Sequence, residues 1–163
     1  MMLETIREYG LEALTASGEN EVTRHAHTRY YLALAEEAPS KLFGVKQEVW
    51  YERLEREHDN LRAALNWLLK RKEAEMALRL GGALGTFWGK RDHFNEGQAF
   101  LERALTASKG VVTSARAKAL VASAWLAWPQ NDKDRMQQRA EESLALYRQL
   151  GDQPGHHLPI PVD

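Results

Sequence analysis

The sequence contains no cysteine, and this absence removes several classes of chemistry. Disulfide frameworks, thiol nucleophiles and thiolate metal sites all need cysteine, and none of the 163 residues is one. An excess of charge of one sign is also lacking, because 22 basic and 23 acidic residues leave a net charge of −1. Without a basic surface of the kind that binds phosphates, we predict no direct contact with nucleic acid.

Long apolar runs are absent as well. No stretch approaches the roughly 18 apolar residues that a membrane-spanning helix needs, and the start, MMLETIREYG, lacks the basic and apolar regions of a signal peptide. We therefore expect no membrane partner and a cytoplasmic location. The phosphate-loop motif G-x-x-x-x-G-K-[ST] does not occur, so no ATPase activity and no cofactor are predicted for this chain.

Proline is scarce, and its distribution predicts an all-α fold. Only 5 prolines occur, none of them between positions 40 and 128, where the strong helix formers Ala, Leu, Glu, Arg and Lys predominate. No segment alternates apolar and polar residues for long enough to predict a strand. Apolar spacing and breakers predict eight helices, with a stop at SGEN and another before Pro39: about 2–16, 20–38, 45–56, 58–71, 74–90, 93–108, 114–128 and 133–150.

The second half of the chain repeats with an offset of 40 residues. Under this shift Trp88 falls on Trp128 and Asp92 falls on Asp132. A helix-turn-helix unit that recurs at such a period is typical of an α-solenoid. Both aspartates stand where the second helix of a pair is expected to begin, so we predict that each caps that helix.

These repeats resemble tetratricopeptide repeats, with a polar turn between helices and small residues such as Ala124 and Ser143 at the predicted crossings. The N-terminal blocks LETIREYGLEALTASGE, RHAHTRYYLALAEEA and WYERLEREHDNLRAALNW resemble the sensor region of bacterial signal-transduction ATPases and of LuxR- or AfsR-like transcriptional regulators. The resemblance implies an N-terminal helical segment at 1–38 that leaves a winged-helix part, repeats at 39–152, and an extended tail at 153–163. It also implies antiparallel helix pairs wound into an α-α superhelix.

The block EREHD holds residues that bind metals. Glu55 and His58 have the i, i+3 spacing of helical di-metal sites, but those sites use the motif twice and no second E-x-x-H occurs. We therefore predict a helix junction at this block, and no metal site. His156 and His157 in the tail are expected to be at most an adventitious metal binder.

Three glycines, Gly81, Gly85 and Gly89, recur every four residues along one predicted helix. A glycine inside a helix costs about 1 kcal/mol relative to alanine, so close approach of another helix, or of a ligand, should offset that cost. The repeat offset places Trp125 opposite Gly85, and we predict that Trp125 packs over that glycine.

The five tryptophans are mostly expected to be core residues. The alternative is a partner-binding surface made of Trp88, Lys118, Trp125 and Trp128, which the resemblance places on a concave helix surface. Tryptophan exposed in a groove is a frequent binding hot spot. The function that follows is non-catalytic recognition of a protein, a peptide or a small effector within a transcriptional regulator. Two alternatives remain open: a structural module that forms a homo-oligomer by stacking on a second copy, and a helical metalloenzyme.

Overall fold

The computed structural model describes the backbone of residues 2–151 and the side chains of residues 20–151, so the predicted tail at 153–163 and its histidines lie outside the described residues. Within this range all regular structure is α-helical, which confirms the predicted fold class. The helices are α1 (Met2–Lys41), α2 (Gln47–Arg56), α3 (His58–Lys70), α4 (Ala74–Lys90), α5 (Phe94–Ala107), α6 (Ser114–Ala127) and α7 (Lys133–Leu150).

The helix count is seven rather than eight, because the first two predicted helices are one. SGEN does not interrupt α1; a single glycine lowers helix stability by about 1 kcal/mol and need not end a helix that continues on both sides. Pro39 does not end α1 either. It lies in the last turn, which is closed by Leu42 N–H donating to Ala38 O at 3.0 Å.

Three of the connecting turns share one backbone geometry. Lys72, Asp92 and Asn131 follow α3, α4 and α6, and each has a positive φ of 58°, 61° and 56°. In each turn the next residue donates its N–H to the carbonyl five positions back: Glu73 to Leu68, His93 to Trp88 and Asp132 to Ala127. This is the bonding of a Schellman helix end, in which a left-handed residue reverses the chain.

The shared turn corrects the predicted role of Asp92. Asp132 does cap α7, since its carboxylate accepts from Arg135 N–H at 3.1 Å. Asp92 instead holds the left-handed position that Asn131 holds in the next turn, and the N-cap of α5 is His93. The structural offset across this turn is therefore 39 residues, the separation of Asp92 from Asn131 and of His93 from Asp132.

The glycine stripe lies where α4 packs against α6. A Cβ on Gly85 would be 2.8 Å from Ala122 Cβ, and a Cβ on Gly89 would be 2.8 Å from the indole nitrogen of Trp125. Trp125 therefore packs over Gly89, one turn beyond the predicted Gly85. Gly81 faces α5, where a Cβ would lie 3.0 Å from Leu101.

Helix α4 contacts α1, α3, α5 and α6, whereas α7 packs on α6 and α2 packs on α1 and α3. One continuous apolar core runs from Tyr31 in α1 to Leu126 in α6, and a smaller cluster joins α6 to Tyr147 of α7. Within the described part of the chain, no helix combines the length and the apolar character needed to cross a membrane.

We expect Gly85→Ala to be less stable than Gly82→Ala by about 1–3 kcal/mol, the usual cost of overpacking. Both changes gain the same helix propensity, so their comparison isolates the contact with Ala122. A Cβ on Gly82 would meet its nearest neighbour, Ala119 N, at 3.4 Å. Denaturant unfolding of the two variants measures the difference, and equal stabilities would contradict the close packing. Gly85→Leu should destabilise by more than about 1 kcal/mol.

The two turn aspartates should respond in opposite ways. Asp132→Ala removes a side-chain cap and is expected to cost about 1 kcal/mol. Asp92→Gly relieves a left-handed backbone conformation and should leave stability unchanged or raise it by up to about 1 kcal/mol. Thermal and denaturant melts of the two variants check both signs. A loss of stability in Asp92→Gly would mean that Asp92 makes a stabilising contact after all.

Candidate functional site

The junction between α2 and α3 is tied to α1 by one carboxylate. Glu57 separates the two helices and accepts from Tyr31 OH at 2.6 Å and from Asn60 Nδ2 at 2.9 Å. These hydrogen bonds lower the pKa of Glu57, with that from Tyr31 as the larger cause. Burial, with a smaller contribution from Glu57, raises the pKa of Tyr31 to about 12. The predicted junction at EREHD is therefore present, and its first role is structural.

Four ionisable side chains from three parts of the chain converge beside this junction. Glu55 is in the last turn of α2, His58 begins α3, His93 is the N-cap of α5 and Glu96 is in its first turn. His93 Nε2 lies 2.9 Å from Glu55 Oε1. His58 Nδ1 lies 4.0 Å from Glu55 Oε2, and the two imidazole rings have centroids 4.3 Å apart. We call Glu55, His58, His93 and Glu96 the His/Glu cluster.

An arginine holds one corner of the His/Glu cluster. Arg62 donates from Nε and Nη2 to the two carboxylate oxygens of Glu96, the latter at 2.8 Å, and from Nη1 to Asp59 at 3.0 Å. The hydrogen bonds from Arg62 are the main cause that lowers the pKa of Glu96, and those to Glu96 raise the pKa of Arg62. Glu96 is therefore a fixed anion whose charge Arg62 balances.

His58 is the most enclosed member of the cluster. The residue is 7% exposed, and its ring meets that of Phe87 edge to face at 5.5 Å. Burial lowers the pKa of His58, against the opposing effect of Glu96, so the neutral imidazole is favoured at pH 7. Its Nε2 lies 3.2 Å from Glu96 Oε2, yet this buried atom has no aligned hydrogen-bond partner among the described residues.

His93 lies at an N-cap, where a side chain usually accepts a hydrogen bond from a backbone N–H of the helix. It is the N-cap of α5, equivalent to Asp132 at the N-cap of α7, but its side chain makes no capping hydrogen bond. A capping side chain contributes about 1 kcal/mol relative to alanine. Here the imidazole reaches Glu55 instead, so the polar group at this position links two helix pairs.

Sequence reasoning missed half of this cluster. Counting E-x-x-H found only Glu55 and His58, whereas the partner motif runs in the reverse order as His93-x-x-Glu96. A search for the i, i+3 pair in either direction would have found it, since both orders place two ligands on one helix face. Chemically, two imidazoles and a carboxylate in this arrangement can hold a divalent cation or share protons.

The predicted partner-binding residues have different environments. Trp88 is 1% exposed and packs beneath α5, where a Cβ on Gly97 would lie 2.7 Å from its ring. It is a core residue, and its predicted partner contact is wrong. Trp128 is 48% exposed, its ring centroid lies 5.8 Å from that of the half-buried Trp125, and Lys118 is exposed two turns before Trp125 on α6.

A shallow pocket between α1 and α3 was not predicted. Its volume is about 250 Å³, slightly below the roughly 300–1,000 Å³ that drug-sized ligands occupy. The lining mixes Trp67 and Ala63 with polar side chains, and His25 packs its ring on Trp67 at 5.7 Å. Its size suits a fragment of a ligand better than a whole effector.

The chain is similar to three proteins named "Putative HTH-type transcriptional regulator", one from Mycobacterium bovis and two from strains of Mycobacterium tuberculosis. Each is 36% identical over 160 residues, covering 93% of this chain. The chain spans only 18% of the length of these relatives. No family model matches the sequence, and no solved structure matches it.

The Arg62–Glu96 pair should matter more for stability than an exposed pair of the same type. Glu96→Gln removes the charge that Arg62 and His58 face, and hydrogen bonds to charged groups contribute about 1.5–3 kcal/mol. Because Arg62 is 43% exposed, solvent screening reduces this contribution, and we expect a loss of about 1 kcal/mol. Glu48→Gln is the matched control, since Glu48 is 74% exposed opposite Arg91. Equal melting temperatures for the two variants would contradict this.

Proposed function

We propose that this chain is a non-catalytic helical-repeat module of a bacterial transcriptional regulator. The observation that carries the proposal is the 36% identity to proteins named as HTH-type regulators, which extends over 93% of the chain. The all-helical architecture supports it, because repeated helix pairs form extended surfaces for recognition. A tetratricopeptide-like superhelix and a sensor role are the finer parts of this proposal.

The surface that we assign to recognition is the α4–α6 surface, defined by Gly82, Gly89, Lys118, Trp125 and Trp128. Close packing of α6 on the bare side of α4 brings Trp125 against Gly89 and Lys118 against Gly82. Trp128 then extends the surface with a half-exposed indole. Paired indoles beside a lysine favour a partner with apolar or aromatic groups and a negative charge.

The basic residues near this surface differ in whether they are free to contact an anionic partner. Lys90 and Lys118 are exposed, whereas Arg91 lies over the ring of Tyr51 at 5.2 Å and bonds Glu48 at 3.4 Å. A partner's anionic group would therefore meet lysine and not Arg91. The partner class that fits is an acidic peptide segment or a small organic anion.

Relay of a binding event would follow the packing of α4. This helix contacts α6 on one side and α1 and α3 on others. A shift of α6 over the glycine stripe would therefore move α4 against the N-terminal helices. In a regulator about five times longer than this chain, such a shift would reach further domains through those helices. Small sliding of packed helices is a known mode of switching.

A second candidate function is self-association, and a specific observation favours it. Phe43, Val45 and Val49 lie together at the α1–α2 turn and the start of α2, and they are 60%, 106% and 61% exposed. Neighbouring exposed apolar side chains are a feature of protein interfaces. This patch would let a second copy stack at the α1–α2 end.

Ligand binding at the α4–α6 surface can be tested by thermal shift. We expect an acidic peptide or organic anion fraction from a bacterial extract to raise the melting temperature, since a ligand bound only to the folded state stabilises it. Trp128→Ser and Lys118→Ala should both lose that shift, and Lys118→Ala should do so without altering the melting temperature of the free protein, because Lys118 is exposed. Phe43→Ser, which changes an exposed aromatic residue elsewhere, should keep it. A shift retained in all variants would place the binding site elsewhere.

Light scattering at micromolar concentration separates the two candidates. A monomer supports a free binding module, whereas a monodisperse dimer that Val45→Lys converts to a monomer supports stacking. Because Val45 is fully exposed, this substitution should not affect the fold of the monomer. Circular dichroism of the variant provides that control.

A further inference from the structure

The His/Glu cluster contains more polar capacity than its own contacts use. His58 is about nine-tenths buried, yet its Nε2 has no aligned partner among the described residues, and its Nδ1 is directed toward Glu55 at 4.0 Å. A buried nitrogen without a hydrogen bond is costly. His93 also forgoes a helix cap to place its Nε2 at Glu55. The unpaired Nε2 of His58 faces Glu96 at 3.2 Å, whereas the nitrogens that face the Glu55 carboxylate are His58 Nδ1, at 4.0 Å, and His93 Nε2, at 2.9 Å.

We propose that Glu55, His58 and His93 bind one divalent transition-metal ion, with zinc as the ion that this ligand set suits best. One ligand atom from each of the three residues lies within 4.8 Å of the other two. In a tetrahedral zinc site with bonds of 2.0–2.2 Å, ligand atoms are about 3.4 Å apart. Closing the site therefore requires the side chains to move inward by about 1 Å.

The ligand chemistry favours zinc over the hard cations. Two imidazoles and one carboxylate form the ligand set of several catalytic and regulatory zinc sites, whereas magnesium and calcium select oxygen ligands. His58 is 7% exposed, and it is the neutral form of an imidazole that binds a metal ion. Arg62 already balances the charge of Glu96. Glu55 is therefore the carboxylate whose negative charge would offset that of the metal ion.

Glu96 and Arg62 would form the supporting contacts of this site. When His58 binds the ion through Nδ1, its Nε2–H is left to donate to Glu96, which lies 3.2 Å away. A small rotation of the ring would align that bond. Metal-binding histidines commonly donate their second N–H to a carboxylate, which fixes the tautomer and raises ligand basicity. The bond from Arg62 holds Glu96 in place for this role.

The site would connect two parts of the fold. Its ligands come from the end of α2, the start of α3 and the α4–α5 turn, so the bound ion would fasten the α2–α3 junction to the first repeat pair. Three protein ligands leave a fourth position for water or for an anionic group of a partner.

The direct test is zinc binding by an untagged chain with His156→Ala and His157→Ala, which removes the tail histidines. We expect one zinc per chain in a chelator competition assay, a raised melting temperature, and visible absorption bands of four-coordinate cobalt when Co²⁺ replaces zinc. Absence of zinc uptake at micromolar free zinc in this variant would overturn the proposal. Uptake that depends on His156 and His157 would overturn it as well.

Variants of the ligands sharpen the test. In that background, Glu55→Gln and His93→Asn should each weaken zinc binding by more than about tenfold. Loss of a residue that only hydrogen-bonds to a metal ligand already weakens binding by about tenfold or more, and loss of a ligand itself should cost more. Asn is a good N-cap, so His93→Asn should keep the α5 fold while removing the ligand. Glu96→Gln should weaken binding by about 10–100-fold and retain one zinc per chain.

His27→Asn is the matched control. His27 is half-buried and packs on Tyr31 at 4.6 Å, outside the His/Glu cluster, so it should bind zinc as the parent does. Unchanged zinc affinity in both Glu55→Gln and His93→Asn would overturn the proposal. So would an equal loss in His27→Asn, which would indicate a nonspecific effect. These outcomes do not depend on the α4–α6 surface or on regulation.

Discussion

The close approach of α4 and α6 is the constraint on which most of this structure depends. Gly82, Gly85 and Gly89 leave one side of α4 without side chains, and Ala119, Ala122 and Trp125 of α6 fill that space. Each helix-interior glycine costs about 1 kcal/mol relative to alanine, and the dense contact across the interface offsets it. Because α4 also contacts α1, α3 and α5, the helix on which α6 packs is the same one that holds most of the core together.

Much of the fold could be predicted because the residues next to each helix end determine where most helices of this chain stop. Six of the predicted helices agree with α2–α7 to within about two residues, since polar turns and the cap at Asp132 mark their ends. The merged α1 could not be predicted from SGEN or Pro39, because one glycine in a helix, or a proline in its last turn, does not by itself end the helix. Asp92 was misassigned because the sequence comparison used an offset of 40 residues, whereas the turn residues Asp92 and Asn131 are 39 positions apart. The difference arises at the end of α6, which stops at Ala127, before Pro129.

The candidate site was harder to predict, since it depends on contacts between distant residues. Glu55 and His93 are 38 positions apart and meet only because α5 begins beside the α2–α3 junction. Local spacing showed half of the cluster and gave no account of Arg62 as the partner of Glu96. Trp88 was misassigned for a related reason. Its repeat equivalent, Trp128, lies after a shortened helix and is exposed, whereas Trp88 remains inside α4 and is covered by Gly97 of α5.

The end of α4 lies between the two proposed sites. Phe87 lies 5.5 Å from the rings of both His58 and His93, and Gly89, two residues later, contacts Trp125. Residues two apart on a helix point to nearly opposite sides. A movement of the histidines would therefore change the contacts on one side of α4, whose other side supports the indoles. Since a packed interior transmits small displacements, the His/Glu cluster and the α4–α6 surface are expected to influence each other through this single helical turn.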